Sequence, residues 1–439
     1  MNSGWLVSAI FAIFMLSSTT GAAAVLKTGN GGFKTINEAL NKANSGDTVE
    51  VNGGTYAETL KLNKKIHIKG VNNPIIASKG GNVIDITSSG VTVEGLTIKY
   101  EGKHGADDIA IFVHNKSHEV VIKKNVLKNV MFGIKVLESL DTAIVDNTVE
   151  GIEDKDENTR GTCITAVGTL NLEVSGNKIT SCRDGIYMEV SHYATVTDNE
   201  VTNSRYAIHT MWVDSGNFCD NIVIDNLVGM AIMYTKHTVA NRNIAVGNKT
   251  HGLLINQTIR SEINENISIG NTKGIFLYNS IENEVKSNLV MNNNIGIHSW
   301  GGSEENKITG NSLIDNEVQV KYVAAKDQQW DGNYWSDYLG WDMTGKGSGD
   351  MPYESNTVVD HIFWRYPLAK LLYSSPAIHV LKIIEKQFPI LKVPKVTDGT
   401  PSMVPLHKNW RLLKAKYANY QPARYHVDIQ KLSNTVGIY

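Results

Sequence analysis

This 439-residue sequence is short of several features, and each shortage excludes a class of protein. Its 42 Lys and Arg residues are balanced by 44 Asp and Glu residues, so no net positive field attracts nucleic acid. After residue 24, no apolar run is long enough to span a bilayer as a helix. The sequence therefore predicts neither a nucleic-acid-binding protein nor one with an internal membrane span.

Cysteine is also scarce: Cys163, Cys182 and Cys219 are the three in the chain, and no two of them form a Cys-x-x-Cys pair. In an exported protein this odd number permits one disulfide with one free thiol, or three buried thiols. Each cysteine lies in or near a predicted strand, where a small apolar side chain fits well. We therefore expect three buried thiols.

The N-terminus, in contrast, is apolar and has the pattern of a signal peptide over residues 1–24. The run from Trp5 to Leu16 is too short to span a bilayer comfortably, and Ala22-Ala-Ala24 supplies an Ala-x-Ala cleavage site. No Lys or Arg precedes the run, which leaves an uncleaved anchor or a buried strand as the alternative. The pattern favours export.

Two columns of residues repeat with one period and indicate a repeat architecture. The first column consists of asparagines in turn settings, at Asn125, Asn147, Asn177, Asn199, Asn221, Asn243, Asn266, Asn288 and Asn311. The second column is apolar and consists of Phe112, Ile134, Ile164, Ile186, Ile208, Ile232, Leu253, Ile275 and Ile297. Most spacings are 22 residues in both columns, and both widen to 30 where the charged segment Gly151–Arg160 is inserted.

Each repeat unit contains short stretches whose apolar residues alternate with period 2, such as Ala194–Asp198 and Ala207–Trp212. A helix would require a period near 3.6, so these stretches are predicted strands. A unit of this length with strands and no helix forms one turn of a solenoid, in which stacked asparagines hydrogen-bond along the axis. We therefore predict an all-β fold, a right-handed parallel β-helix with coils of 22 residues over residues 25–325.

Two different segments flank the predicted solenoid. Gly32–Ala43 has the spacing of a short amphipathic helix, which would cap the open end of the first coil. Residues 326–439 form a C-terminal extension, first rich in Trp, Tyr and Gly and then partly helical and amphipathic. Within it, Asp342–Asp350 resembles a Ca²⁺ loop, but Lys346 and the missing twelfth-position Glu make a Gly-rich turn the preferred interpretation.

Alternation along a strand places each residue of the apolar column inward and its neighbour outward. Consecutive coils are thus predicted to build one outer face from Tyr187, Glu189, His209, Met211, Met233 and Thr235, followed by Leu254, Asn256, Phe276, Tyr278, His298 and Trp300. An aromatic-rich ligand groove is one alternative for this face. Imidazole and thioether together select soft ions, above all Cu(I), over Ca²⁺ or Mg²⁺. We predict a metal site at His209, Met211 and Met233. Four neighbours are further candidates, of which the two methionines are explained as well by core filling: Met188, His192, Met230 and His237.

A polysaccharide-modifying enzyme is the alternative, because many β-helix proteins act on polysaccharides. A lyase or epimerase needs a basic residue with carboxylates or an aromatic acid in one groove. A glycosidase needs two facing carboxylates. The predicted outer face offers Glu189, with Tyr187 and His209 as helpers. These three residues define the alternative site, but a binding protein is favoured.

Several motifs together resemble known proteins. The opening Phe33–Ala43, followed by Gly46-Asp-Thr-Val-Glu-Val51, is similar to that of pectin-lyase-like β-helix proteins. A more specific series resembles the NosD family of nitrous oxide reductase maturation proteins: Gly185–His192, Ile208–Trp212, Met230–Thr235, Gly332–Tyr338 and Trp364-Arg-Tyr-Pro-Leu-Ala-Lys-Leu-Leu372. The resemblance covers nearly the whole exported chain.

The resemblance to the NosD family implies a periplasmic adaptor without enzymatic activity. Proteins of this family work with an ABC transporter made of the ATPase NosF and the membrane subunit NosY. They help to deliver copper, sulfur or both for assembly of the copper centres of nitrous oxide reductase, and a lipoprotein such as NosL is the expected copper donor. For this chain the resemblance implies transient Cu(I) binding and docking of residues 360–386 on the transporter, which would keep the protein at the membrane. A segment that caps the end of the coil stack is an equal alternative for residues 360–386, and the two roles are compatible.

Overall fold

The computed structural model describes residues 23–29, 31–101, 105, 107–355, 357–372, 375–387 and 395–420, so the predicted signal peptide lies almost wholly outside the described residues. The described chain winds into a parallel β-helix, in which each coil visits three sheets in turn. The sheets are numbered in the order of these visits. The parallel β-helix predicted from the repeat is confirmed.

The first sheet has two parts, which single bridges at Val239 join. The first part contains Val25–Thr28, Thr48–Val51, His67–Gly70, Thr92–Glu94, Val121–Lys123, Ala143–Val145, Glu173–Ser175, Thr195–Thr197 and Asn217–Cys219. The second part contains Glu262–Asn264, Glu284–Lys286, Lys307–Thr309, Gln329–Asp331, Val396–Asp398 and Tyr353–Ser355. The second contains Thr55–Tyr56, Ile75–Ser78, Thr97–Tyr100, Val126–Lys128, Thr148–Glu150, Lys178–Thr180, Glu200–Thr202, Ile222–Ile224, Ile244–Val246, Ile267–Ile269, Leu289–Met291, Ser312–Ile314 and Tyr334–Trp335. The third contains Leu60–Leu62, Ile84–Ile86, Ile109–Val113, Phe132–Leu137, Ile164–Val167, Asp184–His192, Tyr206–Asp214, Val228–Met233, His251–Asn256, Lys273–Tyr278, Ile295–Trp300 and Val318–Val323.

The described helices lie before and after the coils: α1 (Ile36–Lys42), α2 (Val358–Arg365), a 3₁₀ helix (Pro367–Leu372), α3 (Pro376–Gln387) and α4 (Trp410–Lys416). A capping box begins α1, because the Thr35 side chain accepts from the backbone N–H of Glu38 while the Glu38 carboxylate accepts from that of Thr35. The apolar face of α1 is buried against the first coils. The helix therefore caps the solenoid, as predicted.

The asparagine column forms a buried ladder at the turn between the first and second sheets. Asn199 Nδ2 donates to Asn221 Oδ1 at 3.0 Å, and Asn221 Nδ2 donates to Asn243 Oδ1 at 3.0 Å. The ladder continues unbroken from Asn125 to Asn333, and the buried carboxylate of Asp398 accepts the last bond. These bonds satisfy polar groups that would otherwise be buried without partners.

A second asparagine ladder, which was not predicted from the sequence, lies between the second and third sheets. Its members are Asn226, Asn248, Asn271, Asn293 and Asn316, joined by Nδ2–Oδ1 bonds of 3.0 or 3.1 Å. The signal was present, because these asparagines are 22 or 23 residues apart. Two corners of the later coils are therefore held by side-chain ladders.

The register of the third sheet corrects the predicted apolar column at two positions. Phe112 pairs with Lys135, so the residue that continues the Ile134 column is Ile111. Met230, and not Ile232, pairs with Ile208. Because both strands carry consecutive apolar residues, alternation alone left their register ambiguous.

The cysteines are all buried, but two of them are oxidised, which corrects the expectation of three thiols. Cys163 and Cys182 form a disulfide with a Cα–Cα distance of 5.8 Å, and Cys219 is free. Because each coil of 22 residues stacks on the previous one, two cysteines that are 19 positions apart come into contact at a turn. That proximity depends on the solenoid and is not visible as a Cys-x-x-Cys motif.

The extension first continues the coil and then covers it. Parallel pairing extends beyond residue 325 through Gln329–Asp331 and Tyr334–Trp335. After the helices α2 and α3, Val396–Asp398 joins the first sheet, and α4 with Tyr417 lies on an apolar cluster of the second sheet. None of the helices in the described ranges is long and apolar enough to cross a membrane.

Candidate functional site

The two longest described strands, Asp184–His192 and Tyr206–Asp214, run side by side in the third sheet. Their register pairs Tyr187 with His209 and Glu189 with Met211. On the next coil Met233 pairs directly with Met211. Since neighbouring strands lie about 4.8 Å apart, one thioether stands beside the other.

The three predicted ligands therefore share one outer face, although not in the predicted register. His209 and Met211 are two residues apart on one strand and project to the same side. Ala231 stands beside His209, and Met233 stands beside Met211. The side chains of His209, Met211 and Met233 are partly exposed, so an ion can approach them from solvent. Thr235, predicted outward, is buried and bonds the backbone of Val213.

Aromatic rings clamp the His209 imidazole. The ring of Tyr206 stacks on it at a centroid distance of 4.6 Å, and the Tyr187 ring meets it edge-on at 5.1 Å. The guanidinium of Arg205 lies over Tyr206 at 4.8 Å and extends this stack. Packing therefore restricts the imidazole to small movements.

A buried carboxylate lies behind the imidazole. Asp184 is 1% exposed, and its oxygens lie 3.2 Å from Arg183, 3.2 Å from Arg205 and 3.9 Å from His209 Nδ1. Burial alone would raise the pKa of Asp184, but the His209 ring, Arg205 and Arg183 outweigh it and hold that pKa below its usual value. The carboxylate is therefore ionised near neutral pH.

Tyr187 connects the carboxylate of Glu189 to the thioether of Met211. Its hydroxyl donates to Glu189 Oε2 at 3.0 Å and lies 3.9 Å from Met211 Sδ. Burial, followed by the hydrogen bond and negative charge of Glu189, raises the pKa of Tyr187. The phenol therefore keeps its proton at neutral pH, which does not favour the alternative in which Tyr187, Glu189 and His209 abstract a proton from a sugar.

The four further candidate ligands lie away from the face that carries His209, Met211 and Met233. Met188 and Met230 point into the hydrophobic core and are fully buried. His192 and His237 are exposed, and His192 lines a groove of about 600 Å³ along the turn that follows the third sheet. The structure therefore brings together the trio of His209, Met211 and Met233 but not these four side chains.

The later coils of the same face carry a stacked column of rings, which includes the predicted outward residues Phe276 and His298. Phe276 lies between His251, at 5.2 Å, and His298, at 4.8 Å. His298 is 5% exposed, and neither of its ring nitrogens has a hydrogen-bond partner. Burial, with the charges of Lys273 and Lys321, lowers the pKa of His298 to about 3. Phe276 and His298 continue the column of outward residues that contains His209.

The loop Asp342–Asp350 has the contacts of a turn. Asp342 accepts from the backbone N–H groups of Lys346 and Gly347 at 3.1 and 2.7 Å, and Asp350 accepts from that of Met343 at 2.6 Å. These carboxylates are thus engaged by the loop itself. No group of three or more His, Cys, Asp or Glu side chains suited to a metal ion occurs in the described part of the chain.

Fold and face together define a class: a parallel β-helix scaffold with an exposed imidazole and thioether surface. The sequence model of the family described as "Periplasmic copper-binding protein (NosD)" matches residues 151–340. A relative from Pseudomonas aeruginosa, named "Probable ABC transporter binding protein NosD", is 33% identical over 80% of this chain and 86% of its own length. A relative from Stutzerimonas stutzeri with the same name is 32% identical over 80% and 85%. The chain belongs to the NosD family.

Two solved structures that match this chain do so at low sequence identity. The periplasmic alginate epimerase AlgG is 14% identical, with a TM-score of 0.48 over 65% of this chain and 77% of its own. The A-module of a mannuronan C-5 epimerase from Azotobacter vinelandii is also 14% identical, with a TM-score of 0.49 over 67% and 92%.

Proposed function

We propose that this protein is a non-enzymatic periplasmic adaptor that carries Cu(I) during assembly of the copper centres of nitrous oxide reductase. It would work with an ABC transporter of the NosF and NosY type and receive copper from a lipoprotein such as NosL. The observation that carries the proposal is the grouping of His209, Met211 and Met233 on one outer face. Membership of a family described as periplasmic and copper-binding supports it.

The chemistry of the face suits a carrier of Cu(I). One imidazole and two thioethers are soft or borderline ligands, which prefer Cu(I) to harder ions. The ligands lie at the surface of a rigid sheet, so an ion can enter and leave without unfolding of the protein. Met188 and Met230 are excluded from the proposed site because they lie within the core. His192 and His237 are excluded because they lie outside the face.

Anaerobic titration with Cu(I) tests the proposed site. We expect the native protein to bind one tight equivalent, and the triple variant His209→Ala/Met211→Ala/Met233→Ala to bind more weakly. Loss of one outer-shell partner costs about 10–100-fold in metal affinity, so loss of all three ligands should exceed about 100-fold. The double variant His192→Ala/His237→Ala is the matched control and should bind like the native protein. Equal binding by the native and triple-variant proteins would contradict the site.

We further propose that the helices α2 and α3 dock on the transporter, as relatives named for ABC transporter binding suggest. Phe363 packs with Val359 and Ile378, which holds the two helices together. Several large apolar side chains around them are exposed: Leu368, Leu371, Leu372, Val380, Ile383 and Ile384. Apolar surface of this extent is typical of an interaction site.

Copurification tests the docking proposal. The variant Leu368→Glu/Leu371→Glu should fold normally, because these side chains are 83% and 85% exposed, but should no longer copurify with the detergent-solubilised NosF–NosY transporter. Burying a charge in an apolar interface is costly, so we expect at least about 10-fold less bound protein. Leu412→Glu, at a leucine of α4 that is 74% exposed, is the control and should copurify normally. Undiminished copurification of the double variant would place the docking surface elsewhere.

A further inference from the structure

A histidine that holds a metal ion needs a second partner for its other ring nitrogen. That partner orients the ring and decides which nitrogen carries the proton. His209 Nδ1 is buried and has no hydrogen-bond partner, while the carboxylate of Asp184 lies 3.9 Å away. Building on the proposed function, we infer that Asp184 is the positioning residue of the copper site. It holds the proton on His209 Nδ1 and leaves Nε2 free for the ion.

Asp184 has the burial and the charge that this role requires. It is 1% exposed, and the Arg183 and Arg205 guanidinium groups keep it in place. Oδ1 accepts from Arg205, whereas Oδ2 faces both Arg183 and the imidazole. Because a carboxylate oxygen has lone pairs for more than one donor, Oδ2 can accept from the His209 N–H as well.

The position of Asp184 is not part of the repeat. In its column of the third sheet, the paired residues on the later coils are Tyr206, Val228, His251, Lys273, Ile295 and Val318. Among these paired strands, Asp184 is therefore the acidic residue of the column, and it lies on the coil next to that of His209, the histidine of the proposed site. Solenoid stability does not require an acid here, since the other coils stack without one.

The distance between His209 Nδ1 and the Asp184 carboxylate is consistent with a contact that shortens when the imidazole binds an ion. A hydrogen bond from N–H to oxygen is about 2.7–3.2 Å long, so the 3.9 Å gap closes by a small movement of the ring. Tyr206 stacks on the flat face of the imidazole, so a small shift of the ring that keeps the two planes facing each other retains this stack. A bond from Nδ1 to Asp184 then directs Nε2 away from the carboxylate.

The test compares Cu(I) affinity in Asp184→Asn, Asp184→Glu and the native protein, by anaerobic competition with a chromogenic Cu(I) chelator. We expect Asp184→Asn to bind about 10–100-fold more weakly, as is typical when the carboxylate partner of a metal-bound histidine is lost. X-ray absorption should show loss of the imidazole signal with both sulfur ligands retained. Asp184→Glu should restore part of the affinity. Asp214→Asn, which removes an acid paired with Lys236 at 3.6 Å, is the control and should bind normally.

A double-mutant cycle separates positioning from folding. In a His209→Ala background the Asp184→Asn change should have no further effect on affinity, because its only target is gone. An equal loss in both backgrounds would mean a structural role for Asp184 and would overturn the inference. A second outcome would also overturn the inference. If the native protein binds Cu(I) and His209→Ala weakens that binding, Asp184→Asn must not leave the affinity and the imidazole signal unchanged. Failure of the native protein to bind Cu(I) would instead reject the proposed function.

Discussion

The asparagine ladder and the outer face of the third sheet differ in how their residues repeat. The ladder lies between the first and second sheets. The ladder uses the same residue in every coil from Asn125 to Asn333, and each side chain does the same work. The outer face changes residue from coil to coil: the column that contains Tyr187 and His209 continues through Ala231. Repetition therefore marks the positions that hold the coils together, and departure from repetition marks the positions available for function.

The largest expected effect in this comparison comes from breaking the ladder. Replacing Asn221 by Leu keeps the branched shape of the side chain but leaves the backbone N–H of Asn199 and the carbonyl of Val196 without their partners. Each buried unsatisfied group costs about 1–3 kcal/mol, so the free energy of unfolding should fall by about 3 kcal/mol or more. Urea unfolding followed by circular dichroism measures the change.

An exposed residue near the same rung provides the control. Arg242 pairs with Asp220 at 2.6 Å, but both side chains are largely in solvent. Exposed ion pairs contribute less than about 1 kcal/mol, so Arg242→Ala should change the unfolding free energy little. If Asn221→Leu proved as mild as Arg242→Ala, the ladder would not be what holds the coils together.

A smaller, pH-dependent effect is expected from the outer face. The pKa of His298 is lowered from 6.5 to about 3 in the folded protein by burial and by the charges of Lys273 and Lys321. Below pH 6.5 the unfolded chain therefore binds a proton that the folded chain does not, so stability falls as the pH decreases from 6.5 towards 3. One such group contributes a slope of at most about 1.4 kcal/mol per pH unit.

Replacement of His298 by Phe should remove this slope while keeping the stack between Phe276 and Trp300. Between pH 7.5 and 5.0 the native protein should lose up to about 2 kcal/mol more stability than His298→Phe. Asn221→Leu should instead lower stability equally at both values, because asparagine does not titrate. Parallel pH profiles for the native protein and His298→Phe would show that the histidine is not the source of the acid sensitivity.

Much of the fold could be predicted because its signals are periodic. The spacing of Asn125 to Asn311 predicts both the coil length and the ladder, and both are confirmed. The capping helix is marked by local chemistry, since Thr35 and Glu38 lie three residues apart in the chain. Period-2 alternation also brings His209 and Met211 to one face without knowledge of the neighbouring coils.

The details of the candidate site were predicted less well. Val228–Met233 is apolar at nearly every position, so its sequence does not reveal whether Met230 or Ile232 continues the inward column. The predicted register placed Met233 beside His209, whereas in the structure Met233 lies beside Met211. The position of Asp184 near His209 was not predicted either, because an acidic residue before a buried glycine and isoleucine is typical of the end of a turn.

By itself, the sequence determined the class of the protein: a stack of coils with asparagine at one corner and an unusual set of histidine and methionine on a few coils. Periodicity carries that information, because it is local and repeated many times. Only the tertiary structure decided the register of the third sheet, the Cys163–Cys182 disulfide and the approach of Asp184 to His209. Each of these depends on how one coil lies against the next, and a shift by one residue would exchange the inner and outer faces.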